Sequence, residues 1–149
     1  MQPRFPIYII SKGRWESRLT SKALEQMGVA YRVVIESQEF DQYAAVIDPS
    51  KLLILDMRYR DEYDAISETP GVQSKGSGPA RNFVWDHAIS EGHEWHWLMD
   101  DNIRCFMRLH QNRKIRTYDP AIFRAMEDFA LRYENVAQVG PNYDEFAKR

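Results

Sequence analysis

Apolar positions along the chain alternate between two rhythms, short β-branched runs and stripes at helical spacing. Ile7-Tyr8-Ile9-Ile10 is a run of the first kind that stops at the polar turn Ser11-Lys12-Gly13-Arg14, which predicts a strand leading into a loop. Leu19, Ala23, Leu24 and Met27 then recur on one helical face, with Ser17 placed to cap the start and Gly28 placed for a left-handed residue at the end. Residues 31–35 predict a second strand. Phe40, Tyr43, Ala44 and Ile47 stand at i, i+3, i+4 and i+7, a short amphipathic helix that Pro49 ends before a third strand at 52–55.

Residues 56–78 are polar, carry Pro70, Gly71, Gly76 and Gly78, and hold no sustained period, so most of this stretch reads as a long surface loop. Pro79 suits the first turn of a helix that turns Ala80, Phe83, Val84, His87 and Ala88 to one face and ends at Gly92. A fourth strand at 95–99 runs straight into Asp100-Asp101-Asn102. Ile103, Cys105, Met107 and Leu109 then alternate with mostly polar neighbours as in a half-exposed strand, and Gln111-Asn112-Arg113-Lys114 suits a hairpin turn. Asp119-Pro120 starts a last helix with Ile122, Met126, Phe129, Ala130 and Tyr133 on one stripe, followed by a last strand at 136–139. Strands alternating with helices predict an α/β fold, one domain over residues 1–149, with a mainly parallel sheet flanked by helices.

With 44% hydrophobic and 28% charged residues, the 149-residue chain can bury a core, which argues against disorder. Twenty Lys and Arg against 22 Asp and Glu give a net charge of -2, so no global positive field attracts a polyanion and any nucleic-acid contact must be local. No basic stripe marks one in the sequence. The single Cys105 forms no internal disulfide, and every apolar run is far shorter than the roughly 20 residues of a membrane span. The first residues lack the pattern of a secretion signal, so a cytoplasmic setting without membrane contact is expected.

Three segments carry candidate chemistry. Asp100-Asp101-Asn102 follows an apolar strand, and ligands of open α/β sheets bind beyond the carboxyl ends of strands. Adjacent carboxylates repel unless neutralised, and hard oxygen ligands suit Mg²⁺ or Mn²⁺ carrying a phosphate; a capped turn is the other reading of the same residues. Gly78-Pro79-Ala80-Arg81-Asn82 opens a helix, where backbone N–H groups and a guanidinium favour a diphosphate, or where Arg81 is simply solvated. Ser11, Lys12 and Arg14 after the first strand, with Glu36 after the second, fall on the same sheet edge as Asp100 and suit a nucleotide. His87, His93, His96 and His110 have no compact zinc spacing and read as structural or surface groups. Trp85, Trp95, Trp97 and Phe83 read mostly as core or core edge, and Cys105 as a small buried apolar residue.

From Ile7-Tyr8-Ile9-Ile10-Ser11-Lys12-Gly13-Arg14 through Glu36 and Tyr43 to Ala80-Arg81-Asn82 and Trp97-Leu98-Met99-Asp100-Asp101-Asn102, the chain resembles GT-A fold nucleotide-sugar glycosyltransferases, most closely the TET-associated type of phage-like modification systems. The resemblance implies a GT-A-like, Rossmann-like domain that transfers a sugar from a nucleotide-diphosphate donor, with a hydroxylated pyrimidine in DNA as acceptor, in a bacterial or phage-infected cytoplasm. By the same resemblance Ser11, Lys12, Arg14 and Glu36 border the nucleobase and ribose, Arg81 faces the diphosphate with Asn82 also in the nucleotide-sugar site, and Asp100 and Asp101 form the site for ribose and for Mn²⁺ or Mg²⁺. Asp101 is the expected direct metal ligand, and Asn102 a weaker one, because it stands where the family pattern often has a third acid. Only 47 residues follow Asn102, so the acceptor half is expected to be abbreviated, with Asp144 and Glu145 the candidate catalytic bases. A catalytically poor nucleotide-sugar-binding module within a larger assembly, and a nucleotidyltransferase releasing pyrophosphate, are the competing readings.

Overall fold

Strand β1, Ile7–Ile10, sits at the middle of the molecule because every side chain in it is apolar or aromatic and both faces of its sheet are covered. It pairs in parallel with β2, Arg32–Ile35, on one side and with β4, Trp97–Asp100, on the other; β3, Leu52–Ile54, adds to β2, giving the order β3-β2-β1-β4. The computed structural model describes residues 1–64 and 76–142. The parallel sheet flanked by helices is the α/β arrangement of a GT-A-like, Rossmann-like domain.

Period-2 alternation divides the core into two layers. Ile7, Ile9, Val33 and Ile35 pack with Leu24 of α1, Leu19–Gln26, with Met27 just after it, with Tyr43 of α2, Phe40–Ala44, and with Phe123 of α5, Ala121–Ala130. Tyr8, Ile10 and Val34 turn to the other side, against Val84 and Ala88 of α4, Gly78–Ser90. Each fully buried aliphatic side chain of this kind stabilises the fold by about 1.5–3 kcal/mol. Glu127 is also buried in α5, where it accepts hydrogen bonds from the N–H groups of Arg4 and Phe5 and from Trp97 Nε1, at 2.7, 3.2 and 2.9 Å. One carboxylate thereby ties the entry to β1 and the start of β4 to the last helix.

Several expectations require correction. Ser17 does not cap α1: the N-cap is Arg18 in a left-handed conformation (φ 31°), because residues 14–18 close a turn through Arg18 N–H to the Arg14 carbonyl, and the Ser17 hydroxyl donates to that same carbonyl. The helix drawn through Ile47 ends at Ala44, and Ile47 stays buried through the turn that follows. Part of the loop expected at 56–78 is the short helix α3, Arg58–Asp61, while residues 65–75 lie outside the described residues. Residues 136–139 form no strand: β propensity needs a pairing edge, and Val139 is exposed. Phe129 and Tyr133 leave the buried stripe and pack on each other at the surface, Trp85 is exposed, and Cys105 is half-buried.

After β4 the chain forms a separate two-stranded antiparallel ribbon, β5, Phe106–His110, and β6, Arg113–Thr117. The turn is Gln111-Asn112 alone, both at positive φ (47° and 59°), the backbone of a tight two-residue hairpin. Phe106 anchors the ribbon against Phe123, which in turn meets Trp97.

Candidate functional site

The strand order reverses between β1 and β4, and in open parallel sheets the crevice beyond the carboxyl ends at such a point is where ligands bind. Ile10 stands opposite Asp100 in register, so the residues after them meet in that crevice. Ser11 Oγ donates to Asp101 Oδ2 at 2.8 Å, and Arg14 Nη1 holds Asp101 Oδ1 at 2.9 Å. Ser11 has one proton and gives it to the carboxylate, so the Tyr43 hydroxyl, 2.6 Å away, is the donor to Ser11 Oγ, while the Tyr43 oxygen accepts the Arg14 N–H at 3.2 Å. Burial raises the Tyr43 pKa above the ordinary phenol value, and the nearby Glu39 and Asp101 charges add to this against the opposing effect of its contacts with Ser11 and the Arg14 N–H. The phenol keeps the proton that this chain needs.

Asp100 is held differently. Its backbone carbonyl accepts from Thr20 Oγ1 at 2.5 Å, Thr20 Oγ1 accepts from Ile103 N–H at 2.9 Å, and Thr20 N–H reaches the Asp101 carbonyl at 3.3 Å. The first turn of α1 thus clamps the acidic turn on both sides. The Asp100 side chain, 42% exposed, pairs through Oδ1 with Arg81 Nη2 at 2.8 Å. Arg81 is aimed by Ser77, whose Oγ accepts from Nε at 3.1 Å, and α4 starts close to Tyr63 because Gly78 has no Cβ to overlap that ring. Two carboxylates therefore face two guanidiniums, a neutral arrangement into which a cation and a polyphosphate can enter together.

Next along the edge, Glu36 is buried and accepts from Lys12 Nζ at 2.6 Å, from Arg60 Nη1 at 3.2 and 3.3 Å, and from Gln38 Nε2. Burial pushes its pKa up, but the Lys12 and Gln38 hydrogen bonds and the Lys12 and Arg60 charges outweigh that and leave it below the usual carboxylate value. Gly13, at φ 67°, bends the loop so that its N–H donates to Glu39 Oε1 at 2.7 Å. Glu39 Oε2 is buried with no hydrogen-bond partner among the described residues.

Ser11, Lys12, Arg14, Glu36, Arg81, Asp100 and Asp101 therefore lie along one sheet edge, and Arg81 and Asp100 touch. Asn102 follows the pair and is exposed. Asn82 lines a different, open cleft of about 500 Å³ between α3 and α4, with Tyr59, Tyr63 and Trp85 among its walls. Asp144 and Glu145 lie outside the described residues. Among the described residues no three His, Cys, Asp or Glu side chains converge as metal ligands, and no helix is long and apolar enough to cross a membrane.

Periodicity in the sequence signals some of the further residues that hold this site. Thr20 shares a helical face with Ala23, Leu24 and Met27, and a polar residue on a buried stripe in a first turn is a signal that it holds something. Tyr43 is legible as a core position but not as a hydroxyl donor. Nothing local marks Arg60 or Glu39, whose partners are set by tertiary structure.

No match was found among curated proteins or among solved structures. The family model of the TET-associated glycosyltransferases matches residues 5–149, essentially the whole length, and the chain belongs to that family.

Proposed function

We propose that the protein takes a sugar from a nucleoside-diphosphate donor at the crevice between β1 and β4, with Mn²⁺ or Mg²⁺, and passes it to a hydroxylated pyrimidine in DNA. Membership of a glycosyltransferase family supports the transfer. The observation that carries the donor site is the acidic pair Asp100-Asp101 at the strand-order reversal, each acid already matched to an arginine.

The donor set fits a hard divalent cation in part: two carboxylates are at hand, and such ions are commonly bound by one or two carboxylates plus substrate phosphates. Asp101 would be the direct ligand, since its carboxylate is held in place by Ser11 and Arg14 as ligating carboxylates usually are, with Asp100 beside it and Asn102 contributing less. When bound, the ion would neutralise charge on the diphosphate. Arg81 exchanges Asp100 for the diphosphate and meets the electron pair that passes to the β-phosphate oxygen as the glycosidic bond breaks. The acceptor hydroxyl forms the new bond to the anomeric carbon and gives its proton to a carboxylate, for which Asp144 and Glu145 are the candidates. Lys12 after β1 and Glu36 after β2, paired with each other, border the nucleobase and ribose.

The test is incubation with a panel of nucleoside-diphosphate sugars and Mn²⁺, following release of nucleoside diphosphate with and without DNA containing hydroxymethylated cytosine. Metal-dependent release that falls by about 10²–10³-fold in Arg81→Gln is expected. Release of pyrophosphate from a nucleoside triphosphate instead would overturn the reading in favour of nucleotidyl transfer.

A further inference from the structure

The β5–β6 ribbon concentrates charge that looks scattered along the chain. Between Ile103 and Tyr118 stand Arg104, Arg108, Arg113, Lys114 and Arg116 without a single Asp or Glu, in a protein of net charge -2. Other arginines of the described residues contrast with these: Arg14, Arg18, Arg32, Arg58 and Arg81 each hold a carboxylate within 3.6 Å. Arg104, Arg108, Arg113 and Arg116 are exposed, and among the described residues none of them has a carboxylate partner; Arg116 lies over the Tyr118 ring. Three such guanidiniums on one ribbon, with Arg104 just before it, repel one another and favour an anion from outside.

Register sorts these groups by face. The pairs Arg108–Ile115 and His110–Arg113 turn to one side of the ribbon, and Met107–Arg116 and Leu109–Lys114 to the other. Both faces therefore present cations and apolar side chains together. A lipid surface meets a protein from one side and favours segregation of apolar from charged groups. A nucleic-acid groove has a phosphate backbone on each wall, and the major groove of a duplex, about 12 Å wide, admits a two-stranded ribbon.

We infer that the β5–β6 hairpin is a docking arm for duplex nucleic acid, holding the phosphate backbones through Arg108, Arg113 and Arg116. The arm deepens the acceptor side of the proposed function, because Phe106 follows Asp101 by five residues and so lies no more than about 18 Å from it. A duplex held by the ribbon is within reach of the acidic pair.

The experiment is fluorescence anisotropy of a labelled 20-base-pair duplex between 50 and 300 mM NaCl, with the full chain, with Arg108→Gln/Arg113→Gln/Arg116→Gln, and with the corresponding triple Lys variant. The parent should bind with a steep salt dependence. The Gln variant should bind at least about tenfold more weakly at low salt, with a slope of log affinity against log salt shallower by about 3, and the Lys variant should keep the parent slope. A Gln variant with the parent affinity and slope overturns the inference, as does a parent that binds phosphatidylserine vesicles but no duplex. Nucleoside-diphosphate binding with Mn²⁺, measured on the same samples, separates the two readings: its absence from the parent removes the donor site, while hairpin-dependent duplex binding stands or falls alone.

Discussion

Tyr43 donates its hydroxyl proton to Ser11, which hands the direction of the hydrogen bond on to Asp101. A core tyrosine on α2 thereby orients an acid at the end of β4, and Trp15 meets the same ring edge-on with centroids 6.0 Å apart. Tyr43→Phe leaves the apolar packing intact but deprives Ser11 of a donor and the Arg14 N–H of its acceptor. Ser11 is half-buried and Arg14 exposed, so water can replace part of what is lost and the cost is about 1 kcal/mol. Urea unfolding should show that loss, and nucleoside-diphosphate titration should show weaker binding. Unchanged values in both would mean that the chain of hydroxyls does not position Asp101.

Thr20 gives a prediction that separates its methyl from its hydroxyl. The hydroxyl joins the Asp100 carbonyl to the Ile103 N–H, both next to the site, and the residue is fully buried. Thr20→Val keeps the volume and strands two backbone groups, a cost of about 1–3 kcal/mol, whereas Thr20→Ser keeps both bonds and should lose less. Denaturant midpoints of the two variants provide the check: a valine variant as stable as the serine variant would rule the clamp out.

The pattern of strands and helices was readable because parallel strands covered on both faces must be nearly continuous apolar runs, and 7–10, 31–35 and 52–55 are such runs. The position of the acidic pair was readable for the same reason: an apolar strand that ends in charge points that charge beyond the sheet edge. What was not readable depends on partners far away in sequence. Thr20 and Ile103 meet across 83 positions, Arg60 reaches back to Glu36 from a segment without periodicity, and the ribbon cations become a patch only when a two-residue turn folds β5 on β6. Residues 136–139 misled because β-branched side chains describe a suitable strand, not an available neighbour.

Glu36 ties stability to acid pH. Its folded-state pKa lies below the ordinary value of 4.5, so the stability it contributes is fully present above that value and is lost as pH falls through the folded pKa. Lys12 and Arg60 then lose the carboxylate that they face. The parent should therefore become less stable below about pH 4.5, and Glu36→Gln should flatten this part of the curve, with the two proteins converging at the acid end. Thermal melts from pH 3 to pH 6 measure it, and parallel curves for parent and variant would show that Glu36 is not the linked group.

Asp101 and Asn102 are adjacent but should respond very differently to substitution. A carboxylate is a far stronger partner for a hard divalent cation than a neutral amide oxygen, and Asp101 is the residue whose oxygens are already fixed, by Ser11 at 2.8 Å and by Arg14 at 2.9 Å. Asp101→Asn removes the charge and also replaces one acceptor with a donor facing Ser11 or Arg14, so the arrangement around it breaks as well. Calorimetric titration of a nucleoside diphosphate with and without Mn²⁺ should show the metal-dependent part of binding weakened by more than about tenfold in Asp101→Asn, while Asn102→Ala weakens it only slightly. Asn102→Asp should strengthen metal binding, since it adds a third anionic oxygen donor to the turn. The parent's affinity and metal dependence in Asp101→Asn would make the acidic turn a structural feature alone, with Arg14 and Ser11 its hydrogen-bond partners and nothing more, and the donor site would have to be sought elsewhere on the sheet edge.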